Sequence, residues 1–153
     1  MADIQLERFL PYRLARIATA ISLDLRRTYN QRHRLTVPEW RTLATIAQLG
    51  ETTAGRIGAH AMLHKTKVSR AVAALEARRW VQRRRNPEDR RGEFLDLTAV
   101  GRRAFDEMAP DMLRYQSALL ARLNYSPEAL EELLDVLETA LDLGDTSAEG
   151  LSA

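Results

Sequence analysis

A basic segment that ends in an arginine-rich turn constrains this chain more than any other feature. Residues 78–97 read Arg-Arg-Trp-Val-Gln-Arg-Arg-Arg-Asn-Pro-Glu-Asp-Arg-Arg-Gly-Glu-Phe-Leu-Asp-Leu. Two short runs of alternating apolar character flank a turn of Asn, Pro, Asp and Gly, with arginines at the polar positions, a pattern that predicts a β-hairpin with a cationic tip. The hairpin directly follows a predicted helix that contains the only two lysines of the protein, Lys65 and Lys67. A basic helix followed by a basic hairpin is the layout of a winged helix-turn-helix, so the sequence predicts a DNA-binding lobe.

Length and composition favour one globular domain without a membrane span. A chain of 153 residues is long enough to bury a core of its own. It has no apolar stretch of membrane-spanning length and no basic, then apolar, leader at its start, so we expect a cytoplasmic protein. The absence of cysteine excludes disulfides, a cysteine redox sensor and cysteine metal sites.

The charges are unevenly distributed along the chain. The formal net charge is only +2, yet the middle third is strongly basic, and no Lys or Arg follows Arg122 while Asp and Glu accumulate there. Segregated charge of this kind indicates a polyanionic partner that meets one part of the molecule. The alternative, that the charged runs are only solvated faces, explains less well why the cations lie at a turn and a helix start.

Apolar periodicity and capping residues predict six helices and two strands, a mainly α fold with a small β-hairpin wing. Pro11 lies in the first turns of the first helix, so its regular part can begin there. Pro110 lies inside the fifth helix and should kink it or remove a hydrogen bond. The predicted helices cover residues 6–31, 38–49, 54–60, 64–79, 99–123 and a last one opened by Ser126-Pro127-Glu128, and the predicted strands are residues 81–85 and 93–97.

These elements suggest a single domain, residues 1–143, followed by a flexible tail, residues 144–153. A winged helix-turn-helix lobe, about residues 36–98, lies between long terminal dimerisation helices, about residues 6–32 and 99–143. A first helix of roughly 25 residues spans about 37 Å, longer than the lobe can cover. Its apolar stripe therefore needs a further partner, for which a second copy of the chain is the natural source. A monomeric bundle is the alternative.

Several motifs together resemble the MarR family of bacterial transcriptional regulators. The resemblance rests on Pro87-Glu88-Asp89-Arg90-Arg91-Gly92, then Leu95-Asp96-Leu97-Thr98 and Gly101, with Pro38-Glu39-Trp40, Val68-Ser69-Arg70-Ala71-Val72 and Leu75-Glu76 upstream. It covers the chain in the right order except for the last ten residues. The resemblance implies a homodimer with intertwined terminal helices and two lobes spaced for successive major grooves of operator DNA.

The resemblance also implies roles for two turn residues. The family's wing arginine enters the minor groove, and the acidic residue two positions before it orients a neighbouring basic side chain; here these positions are Arg91 and Asp89. A narrow A·T-rich groove would suit Arg91, because negative potential is concentrated there. The alternative is a surface ion pair worth little. This chain departs from the family before Lys65, where relatives commonly have an acidic residue and His64 stands here as a further donor.

The remaining DNA contacts are predicted from side-chain chemistry. Arg70 can bond guanine O6 and N7 with two hydrogen bonds, whereas the flexible ammonium groups of the lysines suit phosphates. Alternation along a strand places Arg84 opposite to Arg83 and Arg85, so at most one or two of these three should reach phosphates. The full predicted DNA-binding set is His64, Lys65, Thr66, Lys67, Ser69, Arg70, Arg85, Asp89 and Arg91.

A regulator without cysteine is more plausibly controlled by a small organic ligand than by oxidation. The family's usual pocket lies where the first, second and kinked helices meet. Cations beside an aromatic surface would suit an aromatic carboxylate or its coenzyme A thioester, and no cofactor is implied. The alternative is that Trp40 is core and the arginines are solvated. Candidate residues are Arg13, Arg16, His33, Arg34, Trp40, Arg41 and Met112.

No enzymatic or metal site stands out in the sequence. The three histidines lack an acidic ligand nearby, and no nucleophile–base arrangement, phosphate loop or paired-carboxylate site is recognisable. The leading hypothesis is a ligand-responsive transcriptional repressor that binds a near-palindromic operator. Its rivals are an architectural protein that binds nucleic acid without sequence preference, and a helical scaffold with no DNA role, which would leave the basic region unexplained.

Overall fold

The computed structural model describes residues 4–85, 87 and 92–143. The chain divides into two compact units, Met1–Val37 and Pro38–Ala153. The predicted fold class is confirmed: helices and one antiparallel hairpin make up the regular structure. The elements are α1 (Leu10–His33), α2 (Val37–Leu49), α3 (Ala54–Ala61), α4 (Lys65–Ala77), β1 (Val81–Arg85), β2 (Glu93–Leu97), α5 (Ala99–Leu123) and α6 (Pro127–Ala140).

The first unit is built around α1. The helix begins at Leu10 with Pro11 in its first turn, where a missing backbone N–H costs no helical hydrogen bond. The start near Pro11 is therefore right and a start at residue 6 is wrong. The helix ends at His33, and its C-cap Arg34 adopts the left-handed conformation with φ 51°. The Asn30 side-chain amide donates to the carbonyl of Leu35 at 3.1 Å.

Helices α2, α3 and α4 form the helical part of the lobe, and local signals set their ends. Gly50, at φ 70°, follows α2 and donates its N–H to Ile46 at 2.9 Å, the role of a C-cap glycine. The Thr53 hydroxyl accepts from the N–H of Arg56 and caps α3. The fully buried apolar side chains that these three helices contribute are Leu43, Ile46, Ile57, Val68, Val72 and Leu75.

The two strands pair as predicted and a third segment joins them. The register places Val81 opposite Leu97 and Arg83 opposite Leu95. Thr52 forms an isolated bridge with Leu95, in which the two backbone N–H groups donate to the opposite carbonyls at 2.9 and 2.7 Å. A single bridging residue has no periodicity of its own, so the sequence did not reveal it.

The wing is attached to α5 by a very close backbone contact. The Thr98 hydroxyl caps α5 by accepting from the N–H of Gly101 and donates to the carbonyl of Arg79 at 2.6 Å. A Cβ on Gly101 would lie 2.0 Å from the carbonyl oxygen of Trp80, so only glycine fits. Pro110 lies inside α5, as predicted.

Two further features concern the start of α6 and the residues that follow α4. Ser126 caps α6, which has no buried residue. Arg79, the last residue of the predicted fourth helix (residues 64–79), instead lies beyond the end of α4 at Ala77, exposed and at φ 60°. The predicted tail, residues 144–153, lies outside the described residues. Among the described helices, none is long and apolar enough to cross a membrane.

Candidate DNA-binding surface

One face of α4 is open to solvent while the other forms core. Val68, Ala71, Val72 and Leu75 are buried, which fixes the rotation of the helix in the lobe. The polar residues predicted to contact DNA are all exposed: His64, Lys65, Thr66, Lys67, Ser69 and Arg70. They lie in the first turns of the helix, where the helix dipole favours an anion. This part of the surface can therefore approach a phosphate backbone.

His64 has a structural task besides the one predicted from the sequence. Its Nδ1 accepts a hydrogen bond from the backbone N–H of Thr66 at 3.3 Å, so the imidazole caps α4. A neutral imidazole that accepts at Nδ1 carries its proton at Nε2. In that tautomer the Nε2–H is the group that the predicted contact to DNA would use, and the contact stays a prediction.

The wing consists of β1, β2 and the turn between them, and two arginines of β1 are ion-paired with carboxylates. Arg83 donates from Nε to Glu76 at 2.8 Å and from Nη1 to Glu93 at 2.6 Å. Donating hydrogen bonds to these two carboxylates, first to Glu76 and then to Glu93, raises the pKa of the Arg83 guanidinium above its ordinary value. Arg84 is ion-paired with Glu51, which follows α2. Arg85 is exposed and forms no ion pair with another described residue.

The arginines of β1 lie on both faces of the hairpin. Residues directly opposite in an antiparallel pair share a face, and Arg83 lies opposite the buried Leu95. The interpretation that arginines fill the polar positions is therefore wrong for Arg83 and Arg85, which follow Val81 on its apolar face. Arg84 does lie on the opposite face, as predicted.

Two predicted wing residues lie outside the described part of the chain. Asp89 and Arg91 belong to the turn between β1 and β2, of which the structure describes only Pro87 and Gly92. Their contacts with DNA stay predictions.

The seven candidate effector residues are divided between the two units. Trp40 stacks on Phe105 with ring centroids 5.9 Å apart. Trp40 and Arg41 also line a groove of about 510 Å³ together with Thr45, Gln48 and His60. The Met112 side chain, half-buried on α5, is not among the groove residues.

In the first unit, the Arg16 guanidinium lies over the ring of Tyr12 at 5.8 Å. Arg13 and Arg34 are exposed and His33 is half-buried. The predicted pocket, which would draw on both units, stays a prediction. Within residues 4–85, 87 and 92–143, no cluster of His, Asp and Glu is arranged to hold a metal ion.

Sequence reasoning missed the carboxylates that bind the wing arginines. Glu93 could have been found from the register, because it lies diagonally across from Arg83 on the same face, within reach of long side chains. Glu76 and Glu51 belong to other elements, and no spacing in the sequence connects them to the hairpin. Gln48 and His60 were likewise missed as groove residues because they lie on two different helices.

A family model and a curated relative that match this chain both belong to transcriptional regulators. The model of the MarR family matches residues 35–92, which hold α2 to α4, β1 and the wing turn up to the residue before β2. The uncharacterized HTH-type transcriptional regulator YwoH of Bacillus subtilis is 30% identical over 83 residues, 54% of this chain and 60% of YwoH.

Solved structures extend the likeness to the terminal helices. A MarR family transcriptional regulator from Silicibacter pomeroyi is 26% identical, with a TM-score of 0.77 over 90% of each chain. NadR, solved in complex with 4-hydroxyphenylacetate, has a TM-score of 0.76 over 92% of this chain and 97% of NadR. At 22% identity, this last similarity shows the fold alone.

Proposed function

This chain belongs to the MarR family of transcriptional regulators, and on that premise we propose that it is a ligand-responsive repressor. In this proposal a homodimer binds a near-palindromic operator through α4 and the wing. A small aromatic acid or its coenzyme A thioester then releases the dimer from DNA.

The exposed start of α4 is the observation that carries the DNA-binding proposal. Lys65, Lys67 and Arg70 are exposed there and form no ion pair with another described residue. Affinity should come mainly from neutralised phosphates, with Arg70 reading a base edge. Thr66 and Ser69 supply hydroxyl groups beside them.

Exposed apolar side chains support the dimer. On α1, Leu10, Ile17 and Leu23 are half or more exposed, at 56, 50 and 54%. On α6, Leu133 and Val136 are exposed to 53 and 65%. Apolar surface on both terminal segments is typical of a protein whose second copy covers it. Two lobes would then present their α4 helices about 34 Å apart, one turn of DNA.

The groove beside Trp40 supports an organic effector. It combines an aromatic surface with the cation of Arg41 and the polar ends of Gln48 and His60, which suits a planar carboxylate. NadR, with the same fold, was solved with the aromatic acid 4-hydroxyphenylacetate. A ligand that changes the spacing of the lobes would weaken DNA binding, and DNA must weaken ligand binding by the same factor.

A mobility-shift experiment separates a regulator from an architectural protein. The probe is a duplex that the wild-type protein enriches from a random-sequence library, and the competitor is a scrambled duplex of equal composition. A regulator keeps its selected duplex at a salt concentration that strips the competitor, because only the phosphate contacts are shared. Equal retention of both duplexes would instead favour the architectural role.

Calorimetric titration tests the effector. We expect at least one compound among benzoates, hydroxycinnamates and their coenzyme A thioesters to bind and to release the selected duplex. Arg41→Gln should weaken that binding, whereas Arg103→Gln, which changes an exposed arginine outside the groove, should not. If no compound binds, or if binding leaves DNA affinity unchanged, the effector assignment is wrong.

A further inference from the structure

We propose that Arg83 and Arg84 are positioning residues that hold the wing against the lobe, which leaves Arg85 as the phosphate-binding member of this arginine triplet. The proposal rests on the proposed function, since it assigns roles within the same DNA-binding surface. It is carried by the ion pairs of two consecutive side chains, Arg83 and Arg84.

Arg83 ties the wing to the recognition helix. Its two donor groups bond carboxylates from two elements, Glu76 of α4 and Glu93 of β2, at 2.8 and 2.6 Å. The guanidinium therefore bridges the helix that would enter the major groove and the strand that leads out of the wing turn. Two directed hydrogen bonds from one planar group define an orientation, which a single point charge would not.

Arg84 holds the opposite face of the same strand. It is ion-paired with Glu51, which directly precedes Thr52, the residue that bridges to Leu95. Consecutive side chains of β1 thus make contacts on two sides of the hairpin. One fixes the wing relative to α4, and the other fixes it relative to the segment between α2 and α3.

Charge balance argues against a phosphate role for Arg83. Its guanidinium already faces two carboxylates, so the local cluster is negative and would repel a phosphate. The raised pKa of Arg83 agrees with this environment. Arg85 is exposed, and it is the member of the triplet whose charge no described carboxylate balances.

A wing held in place before binding has a functional consequence. Ordering a loose hairpin at the moment of binding would subtract from the affinity, so a wing that is already ordered binds more tightly. Exposed ion pairs stabilise weakly one by one. Here three of them converge on two neighbouring residues, and their effect is to fix the two strands of the wing relative to α4 and to the segment between α2 and α3.

The test compares Arg83→Gln, Glu76→Gln and Arg85→Gln on the selected and scrambled duplexes across a salt series. Arg85→Gln should reduce the slope of log affinity against log salt by about 1.8 for the dimer, on both duplexes, because each of the two protomers loses one phosphate contact worth about 0.9. Arg83→Gln should leave the slope unchanged and weaken binding to the selected duplex about three- to tenfold relative to the scrambled one. Arg83→Lys, which keeps the charge but not the fork of donors, should fall between the wild type and Arg83→Gln.

Glu76→Gln gives the sharpest contrast. If Arg83 positions the wing, losing Glu76 lowers the preference for the selected duplex, as Arg83→Gln does. If Arg83 binds phosphate, losing Glu76 frees that charge and tightens binding. Glu107→Gln is the matched control, because it removes the same charge from an exposed position on α5 that is not paired with any of the three arginines.

Amide hydrogen exchange of the wing, measured without DNA, keeps this inference separate from the proposed function. Exchange across residues 81–97 should rise in Arg83→Gln and Glu76→Gln and stay at the wild-type level in Arg85→Gln and Glu107→Gln. Unchanged exchange in Arg83→Gln, or a reduced salt slope for that variant, would overturn the inference. If the library yields no enriched duplex, the proposed function fails while the exchange measurement still decides the role of Arg83.

Discussion

At the residue scale, cations of the lobe differ in what they contact rather than in how exposed they are. Arg83 is exposed and yet bound to Glu76 and Glu93, while Arg70 is exposed on the open face of α4. The sequence assigned a base contact to Arg70 and predicted that at most one or two of the three wing arginines reach phosphates, but it did not reveal the carboxylates that engage Arg83. Contacts between distant elements decide which charge is available to DNA, so that distinction required the structure.

Two substitutions on α4 should affect DNA binding differently. Arg70→Ala should relax base preference at one position, at a cost of about 1–3 kcal/mol for a lost bidentate pair. Lys67→Gln should instead weaken all duplexes equally and lower the salt slope, because an ammonium on a flexible stem reads charge and not sequence. Affinities for single-base variants of the selected duplex measure both effects. Identical profiles for the two variants would contradict this division.

Glu128 should give a pH-dependent contribution to stability. The Ser126 hydroxyl donates to its carboxylate at 2.7 Å and lowers the pKa of Glu128 below its ordinary value of 4.5. The stabilisation by Glu128 is therefore fully present above the pKa that this carboxyl has in the unfolded chain. It is lost as the pH falls through the lower pKa of the folded protein. Thermal unfolding of Glu128→Gln should show a lower Tm than the wild type at pH 7, and the difference should vanish in acid. A difference that does not change with pH would refute this role.

At the element scale, the predictions succeeded where a local signal marks the boundary. Hydroxyl caps place the starts of α3, α5 and α6, Gly50 places the end of α2, and the turn residues place both strands. They failed where the determinant lies elsewhere in the chain. No sequence pattern near Thr52 predicts its bridge to Leu95. A continuing apolar pattern extended the predicted fourth helix to Arg79, although α4 ends at Ala77.

Two helical glycines, Gly101 and Gly55, differ in the space that the rest of the chain leaves for a Cβ. Gly101→Ala should destabilise the fold by about 1–3 kcal/mol or more, because the new Cβ would lie 2.0 Å from the Trp80 carbonyl oxygen, a backbone atom. Gly55→Ala is the matched control, with nothing nearer than 3.9 Å, and should be neutral or stabilise by up to about 1 kcal/mol. Chemical denaturation of both variants measures the difference. Equal stability of Gly101→Ala and the wild type would show that the α5 junction is looser than this contact requires.

At the scale of the whole molecule, the exposed leucines of the terminal helices are the main evidence for a dimer. Leu133→Asp should shift the protein from two chains towards one in sedimentation at micromolar concentration, because a buried carboxylate at an apolar interface is costly. Thr139→Asp adds the same charge at an exposed polar position of α6 and should leave the mass at two chains. A wild-type protein that sediments as one chain and still binds the full selected duplex would contradict the dimer.

The most direct test of the central claim, that two α4 helices read successive major grooves, is the pattern of sequence that the protein itself selects. Duplexes enriched from a random library by the wild-type chain should share a near-palindrome with half-site centres 10–10.5 bp apart. Arg70→Ala should lose base preference at the same position in both half-sites. Enrichment of no common sequence, or of a single unrepeated half-site, would contradict the account.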